Sequence, residues 1–553
     1  MSDQKVANIP SQHQRLLTAI PTGIELLALV VLLGISYYLR MGLPTVPISD
    51  PDSWGYLHPA ISWFSDKGFQ QTNGRDWLYP AMVAVFIKTS GSIAGILSWQ
   101  QAMGLVTVIF MAVAWRFWVS LLPLNRWLQL PLVLIGALPV YLQQINLQNL
   151  VFELEIRPEA VLNFFVYAQL ACLMGYCKYR WRTPRSLPSL IFGGLAVFFA
   201  FATLALKPSW LFALLTTTAP VWFGLLGRNV PLRVRMGIPA LGLALTILLL
   251  WLPEKALYIK DSASRTFLPA TLLTIHADLI EKDLIRKAAA MPDADPEKQR
   301  VETFLRELQK ELRVAETIPH GYEKLGFDPD YLFYHCPFIS FVWDYTGQNA
   351  ESFRSFCLKA YCEAFLHNPL GFGRKIWIQL THFLFLEPST FYRHRVDLQK
   401  LYRISLGSIK PDLISSYPAE MRALVHDYLA ATATLAAAPY ELKQRSFARS
   451  FTKSLSFWAF PLEIVFVLVF CAGLVVPSWV GLRLGGWATL IIFSAPAANA
   501  FTVCVAHALD LARYRYSYGG VLLFSLIAML VYLLVVFAFA LWPLVQRLNS
   551  PRT

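Results

Sequence analysis

The chain has 553 residues, of which 56% are hydrophobic and 15% charged, and its formal net charge is +13. A soluble protein of this length could not bury so much apolar surface, so the composition excludes a soluble globular protein and predicts one that lies in a bilayer. Acids and bases nearly balance between Tyr258 and Leu455, and the excess positive charge lies in short loops. This distribution argues against a nucleic-acid partner, which would need a concentrated basic face on a soluble domain.

Ten apolar runs each approach the ~20 residues that a helix needs to cross the hydrocarbon core. Backbone groups in lipid must be satisfied internally, and runs this continuous favour helices over a closed barrel. The runs lie at 22–41, 95–121, 127–148, 159–177, 187–206, 209–227, 236–256, 456–477, 481–504 and 518–545. The polar residues before the first run show no cleavable signal, so that run is expected to be retained as a helix. The sequence therefore predicts an all-α polytopic membrane protein with about ten transmembrane helices.

Basic residues in alternate loops predict the orientation of these helices. With the N-terminus in the cytoplasm, the basic clusters at 178–185 and 228–235 and the basic C-terminal tail all lie inside. An even number of spans then leaves both termini cytoplasmic. The loop at 42–94 and the region 257–455 lie outside, and the inner (plasma) membrane is the expected location.

Three parts of the chain follow from this pattern. Residues 1–256 are predicted to form a module of about seven transmembrane helices, and residues 456–553 to supply about three more. Residues 257–455 are expected to form a mainly helical extracytoplasmic domain. Two shorter apolar stretches, Leu78–Gly91 and Phe372–Pro388, are interpreted as interfacial helices rather than spans.

The large polar region contains one clear amphipathic helix and three cysteines. Apolar residues recur at helical spacing between 297 and 316, which predicts a helix packed on a core. That stripe consists of Val301, Phe304, Leu305, Leu308 and Leu312. Outside the cytoplasm, Cys336 could form a disulfide with Cys357 or Cys362; three free thiols is the alternative. The cysteine spacing does not indicate a metal site.

The stretch SDPDSWGYLHPAISW, from Ser49 to Trp63, carries the strongest chemical signal. Its acids Asp50 and Asp52 follow the first apolar run, and an amphipathic aromatic segment comes next. A carboxylate held in a dry site can take a proton from a hydroxyl group, so one of the pair is a candidate general base. The alternative is an Asx-type turn without chemistry, because Ser-Asp-Pro-Asp-Ser is rich in turn formers.

This acid, the tyrosine-containing amphipathic segment and the later segment GRDWLYP resemble the GT-C superfamily. These integral-membrane glycosyltransferases use polyprenyl-phosphate-linked sugars and include protein O-mannosyltransferases, lipid A aminoarabinose transferases and oligosaccharyltransferases. The residues that match are Asp52, Tyr56, Leu57, Gly74, Arg75, Leu78, Tyr79 and Pro80. The resemblance implies two short juxtamembrane helices, at 54–66 and 78–90, and makes Asp52 the catalytic acid. Many members have Asp-Glu at this position, where this chain has Asp52-Ser53 and an extra Asp50.

Other candidate site residues lie in the remaining outer segments. Glu159, in ELEIRPEA, could act in the site or be only a first-turn acid that suits a helix N-terminus. Arg75, Lys207, Arg513 and Arg515 could bind a lipid phosphate, or could snorkel to headgroups beside interfacial aromatics. Arg513 and Arg515 do not share a helix face, so one of them is expected to reach any given site. His58 could line the site.

The sequence hypothesis is a glycosyltransferase that moves a sugar from polyprenyl phosphate to an acceptor hydroxyl, with inversion and with Asp52 as general base. The acceptor would be a lipid, a glycan or a protein. Asp50, Tyr56, His58, Arg75, Tyr79, Glu159, Lys207, Arg513 and Arg515 are the expected substrate-binding residues. A divalent metal, Mg or Mn, could bind through Asp50 and Glu159 but is not required. A transporter or flippase of lipid-linked sugars, and an envelope-polysaccharide ligase or polymerase, are the alternatives.

Overall fold

The computed structural model describes residues 12–72, 74–226, 231–261, 263–386, 395–409 and 414–549. Almost all regular structure in these residues is helical. In chain order the α-helices are α1 (Gln12–Met41), α2 (Trp54–Phe64), α3 (Leu78–Ser90), α4 (Gly95–Val119), α5 (Arg126–Ile135), α6 (Ala137–Gln144), α7 (Leu147–Leu154), α8 (Glu159–Cys177), α9 (Ser186–Leu206), α10 (Leu211–Gly224), α11 (Leu232–Thr246), α12 (Leu252–Leu257), α13 (Phe267–Ile275), α14 (Ala277–Ala290), α15 (Pro296–Thr317), α16 (Phe338–Tyr345), α17 (Ala350–His367), α18 (Pro369–Leu384), α19 (Leu398–Ser408), α20 (Ala419–Ala437), α21 (Ser446–Val475), α22 (Arg483–Ala506) and α23 (Ala512–Asn549).

Eight helical segments of the described residues are long and apolar enough to cross a membrane. They are Ile20–Met41, Gly95–Val119, Glu159–Arg182, Ser186–Leu206, Leu232–Leu257, Ser446–Val475, Pro477–Ala506 and Ala512–Leu541. The chain is therefore an all-α polytopic membrane protein, as its composition predicts.

Two of the ten predicted runs do not form a single continuous membrane-spanning helix. The run at 127–148 lies in a broken segment, in which Arg126–Gln144 and Leu147–Leu154 meet at 54° and together could make one further span. The run at 209–227 forms α10, which has 14 residues and contains Pro220. An α-helix rises about 1.5 Å per residue, so α10 alone is too short to cross a bilayer.

Two pairs of very short strands connect distant parts of the chain. Strand β1 (Phe69–Gln70) pairs in parallel with β2 (Tyr258–Ile259), with Phe69 opposite Tyr258. Strand β3 (Arg395–Asp397) pairs antiparallel with β4 (Glu441–Lys443). The first pair joins the loop after α1 to the segment that follows α12.

The region 257–455 contains two packing units. Helices α13 to α17 contribute to a core of their own, in which Phe304, Leu308 and Leu312 are almost fully buried. These residues belong to the predicted amphipathic stripe, and the helix predicted there is α15. Helices α19 and α20 instead share a core with the loop at 42–94. The cysteines Cys336, Cys357 and Cys362 are free thiols.

A buried histidine lies where the first of these units meets the membrane helices. His276 is fully buried, and its Nε2 donates to the carbonyl of Val505 at 2.9 Å. The pKa of His276 is lowered to about 3, chiefly by burial and also by the nearby charge of Lys375. The imidazole is therefore neutral in the folded protein.

We expect the free energy of unfolding to fall as the pH drops below about 6.5, the ordinary histidine pKa. The folded pKa is depressed, so the unfolded chain gains a proton at His276 that the native protein does not bind. Between about pH 7.5 and 5 this linkage removes about 2 kcal/mol. Denaturant titrations across this range test it. His276→Gln should flatten the dependence of the unfolding free energy on pH, whereas the exposed control His335→Gln should not. The same pH dependence in both variants would show that His276 is not its source.

Candidate active site

The loop between α1 and α4 is held in place by hydrogen bonds to two other segments of the chain. Ile48 bridges to Glu155, donating to the carbonyl of Leu154 at 2.7 Å and accepting from Ile156 at 2.9 Å. The Ser49 N–H donates to Oγ of Ser405 on α19 at 3.0 Å. Helices α2 and α3 follow within this loop and have nearly the bounds expected for its two short helices.

Asp50 forms the turn that its sequence context allows. Its Oδ1 accepts from the N–H of Ser53 at 2.8 Å and from the Ser53 hydroxyl at 2.7 Å. Its Oδ2 forms an ion pair with Arg157. The side chain is 18% exposed. Asp50 therefore shapes the loop and holds Arg157, and its lone pairs are largely used.

Asp52 lies at the centre of three arginines. Its Oδ1 accepts from Nη2 of Arg75 at 2.7 Å, and its Oδ2 lies 3.1 Å from Nη1 of Arg513 and 3.8 Å from Nη2 of Arg157. The carboxylate is nevertheless 37% exposed. These arginines come from the first loop, the segment before α8 and the start of α23. Asp52 therefore joins distant parts of the chain while keeping access to solvent.

Arg157 was not among the residues that sequence reasoning selected. It stands in ELEIRPEA among three glutamates. The signal that could indicate it is a cation beside the start of an apolar run. Its side chain is 17% exposed. Burial lowers the pKa of Arg157, Glu159 opposes that effect, and Arg513 adds to it. The Arg157 guanidinium is thus held between the acids Asp50, Glu155 and Glu159 and the neighbouring cation Arg513.

Glu159 and Lys207 form a buried ion pair at the edge of this cluster. Lys207 Nζ donates to Oε1 of Glu159 at 2.8 Å, and each side chain is 9% exposed. Burial lowers the pKa of Lys207, Glu159 opposes the shift, and the nearby charges of Arg513 and Arg157 lower it further. Glu159 is the first residue of α8, as the sequence predicts. The pair places a further cation, the Lys207 ammonium group, close to Arg157 and Arg513.

The two tyrosines of the motif support Arg75. The guanidinium of Arg75 lies 5.1 Å from the ring centre of Tyr56, and the Tyr79 ring meets Tyr56 edge-on at 5.2 Å. The Tyr79 hydroxyl donates to Oε1 of Gln100 at 2.6 Å. Burial raises the pKa of Tyr56, so the phenol stays neutral. A Cβ on Gly55 would lie 2.8 Å from Arg75 Cγ, so glycine is needed for this approach.

Two expected site residues lie elsewhere. His58 hydrogen-bonds through Nδ1 to the Tyr417 hydroxyl and through Nε2 to Ser62 at 3.1 Å. Arg515 is buried and lies 2.7 Å from Nδ1 of His382, and it donates to the carbonyl of Asp510 at 3.1 Å. The helical rotation between Arg513 and Arg515 explains why only Arg513 reaches Asp52. Both displaced residues serve packing between elements.

A cavity of 690 Å³ opens onto Asp52 and Arg75. One wall belongs to the first loop, and the opposite wall comes from the unit built by α13 to α17. That wall carries an aromatic ledge, since Phe267 and Phe333 lie 5.2 Å apart and Phe333 and Tyr334 lie 4.4 Å apart. The lining residues are Asp52, Gly74, Arg75, Asp261, Thr266, Phe267, Ala270, Phe333, Tyr334, Ile339, Ser340, Trp343, Asp344 and Phe353. The space is large enough for a small organic substrate.

The acids considered for a metal are already paired with cations. Asp50 binds Arg157, and Glu159 binds Lys207. Within the described ranges, no group of three or more His, Cys, Asp or Glu side chains is arranged to hold a metal ion. The donor set of Asp50 and Glu159 therefore does not fit a divalent cation.

Comparisons of the chain with protein families, with curated proteins and with solved structures find no match. The site combines the solvent-accessible Asp52 carboxylate, three guanidinium groups around it, a neighbouring buried ammonium group and an open cavity on one side.

Proposed function

We propose that this protein is a membrane glycosyltransferase, similar in layout to the GT-C superfamily. It would transfer a sugar from a polyprenyl-phosphate carrier to a hydroxyl group of a lipid, glycan or protein acceptor. The observation that carries the proposal is the Asp52 carboxylate, exposed on a cavity and surrounded by Arg75, Arg157 and Arg513. Such a cluster supplies both the base and the phosphate-binding groups that this reaction needs.

The arginines provide the anion site. A guanidinium group binds phosphate through two parallel hydrogen bonds, and Arg75 and Arg513 each contact Asp52 through one nitrogen. Donor phosphate would compete for these nitrogens and release carboxylate oxygens of Asp52. Binding of the donor would thus prepare the base.

The chemical step is a direct displacement. Asp52 accepts the proton of the acceptor hydroxyl while that oxygen forms a bond to the anomeric carbon of the sugar. The bond from this carbon to the phosphate oxygen breaks, and polyprenyl phosphate leaves with the electron pair. Arg75, Arg157 and Arg513 stabilise the negative charge that develops on the leaving phosphate. One displacement inverts the configuration at the anomeric carbon.

We further propose that the site faces the extracytoplasmic side of the inner membrane. The distribution of Lys and Arg among the short loops supports this orientation and cytoplasmic termini. The unit built by α13 to α17 would then cover the site and select the acceptor, because its aromatic ledge forms the far wall of the cavity.

The two alternatives receive less support. A transporter needs ionisable groups along a pathway, and the bundle does contain a buried pair, Arg40 and Glu153. The cavity that Glu153 lines has a volume of only 10 Å³, about one water molecule. A ligase or polymerase would use arginines with a histidine, but His58 is bonded to Tyr417 and Ser62.

The proposal is tested with the full chain purified into lipid nanodiscs and polyprenyl phosphate carrying a radiolabelled sugar. We expect release of polyprenyl phosphate when acceptor-containing envelope fractions are added, with the label recovered in a new product. In proteoliposomes, movement of the intact donor between leaflets without product would instead identify a flippase.

Arg157→Lys should lower the transfer rate by about 10- to 100-fold, because lysine keeps the charge beside Asp50 but loses the planar fork for phosphate. Transfer assays and donor-binding titrations measure the effect, and thermal unfolding should change little. Arg306→Lys, an exposed substitution on α15, is the matched control. A transfer rate equal to that of the unmodified protein would show that Arg157 does not contribute to the reaction.

A further inference from the structure

A second cleft, with a volume of 480 Å³, lies where β3 and β4 meet the first turns of α21. Four cationic side chains line it: Arg395, Lys443, Arg449 and Lys453. The other lining residues are Gln444 and two serines, so the described lining contains no carboxylate. It shares no residue with the cavity at Asp52.

The cations of this cleft are placed next to like charges. Arg395 and Lys443 stand directly opposite each other in the antiparallel pair, and like charges in that register repel. Arg449 and Lys453 are four residues apart on one helix face, where like charges also destabilise. Glu441 lies 3.5 Å from Arg395 and 3.6 Å from Lys443, so one carboxylate is shared by two cations. Arg395 and Lys443 therefore carry more positive charge than this one described carboxylate neutralises.

The cleft lies at the level of a membrane surface. Helix α21 is a candidate span; its first turn exposes Phe447 by 53%, and its fourth turn exposes Phe457 by 74% and Trp458 by 60%. Exposed aromatic rings at the end of a span are typical of the interface between hydrocarbon and headgroups. The N-terminus of α21 also carries partial positive charge toward the cleft.

We propose that this cleft binds the phosphate group of an anionic phospholipid. Arg395 and Arg449 would offer planar donors, Lys443 and Lys453 point charges, and Ser446 and Ser450 hydroxyl donors. Gln444 fixes the cleft to the bundle, because its Oε1 accepts from the N–H of Leu147 at 2.7 Å. A lipid bound here would hold β3 and β4, which flank the α19–α20 hairpin. The inference does not depend on the proposed transferase activity.

The experiment uses the full chain in nanodiscs and in detergent, with phosphatidylglycerol and phosphatidylcholine as probes. Native mass spectrometry should show retained phosphatidylglycerol, with binding reduced about tenfold or more when all four cations become Gln. Replacing the exposed cations Lys282, Arg306, Arg313 and Lys359 with Gln removes the same charge from the α13–α17 unit and should leave binding unchanged. An equal loss in both variants, or no preference for phosphatidylglycerol, would overturn the proposal.

A second arm separates a lipid headgroup from free phosphate. Inorganic phosphate at millimolar concentration should displace little phosphatidylglycerol, because the lipid also gains contacts at the aromatic rings. Complete displacement by phosphate would identify a site for soluble phosphate and contradict the lipid assignment. The double variant Arg449→Gln/Lys453→Gln, which leaves the strands intact, should already weaken lipid binding several-fold. Unchanged phosphatidylglycerol binding in a folded double variant would also contradict the assignment of this cleft as the lipid site.

Discussion

Asp52→Asn is expected to reduce sugar transfer by about 10²- to 10⁴-fold, the range that a general base contributes. The amide has nearly the same shape but cannot accept the hydroxyl proton. Because Asn no longer pairs with Arg75 and Arg513, we expect donor binding to be unchanged or tighter. Initial rates with labelled donor and equilibrium donor binding separate the two effects.

The control for this substitution is Asp66→Asn in the same loop. Asp66 is exposed and has a φ of 56°, a left-handed conformation that Asn adopts readily. Its transfer rate should match that of the unmodified protein. Transfer by Asp52→Asn at a comparable rate would show that Asp52 is not the base and would leave the arginine cluster as an anion site only.

Glu153→Ala is expected to destabilise the folded protein by about 3–5 kcal/mol, because it leaves the Arg40 guanidinium buried without a counter-charge. Arg40 Nε donates to Oε2 of Glu153 at 2.8 Å, and the two side chains are 4% and 9% exposed. A Cβ on Gly104 would lie 2.5 Å from Glu153 Oε1 and 2.7 Å from Arg40 Nη2, so the pair is tightly enclosed. Unfolding in detergent by denaturant measures the loss.

A double variant distinguishes loss of the pair from loss of packing. Arg40→Met/Glu153→Met removes both charges, and much of the stability should return because no buried ion is left alone. Glu351→Ala breaks the more exposed ion pair with Arg354 and should cost no more than about 1 kcal/mol. A double variant as unstable as Glu153→Ala would contradict the electrostatic explanation.

Local sequence patterns predict the parts of the structure that depend on nearby residues. Apolar length predicts the spans, helical spacing predicts α15, and the short loop helices follow from the GT-C-like pattern. The same pattern selects Asp52 and Arg75, which the structure brings within 2.7 Å. These features are set by hydrophobic periodicity and by residues within one loop.

Features that depend on tertiary contacts were not predictable in this way. Nothing local to α19 and α20 indicates that the Tyr402 hydroxyl donates to the carbonyl of Val46 at 2.6 Å, or that Tyr428 donates to Pro47 at 3.0 Å. The separation of Arg513 from Arg515 was expected from helix geometry, but only the packing of α23 shows which one reaches Asp52. Arg157 joins the site because Ile48 bridges to Glu155, a contact between segments more than 100 residues apart.

The ion pair between Asp52 and Arg513 has a consequence for biogenesis. The two residues are 461 positions apart, so the first loop is made long before the helix that completes its charge cluster. The carbonyls of Val46 and Pro47 likewise lack their hydrogen-bond donors until the tyrosines of α19 and α20 have been made. A ribosome-bound or truncated chain that has inserted only its early helices would hold Asp52 without its last cation. In the proposed transferase, the complete charge cluster would then form only once α23 has been made and has joined the bundle.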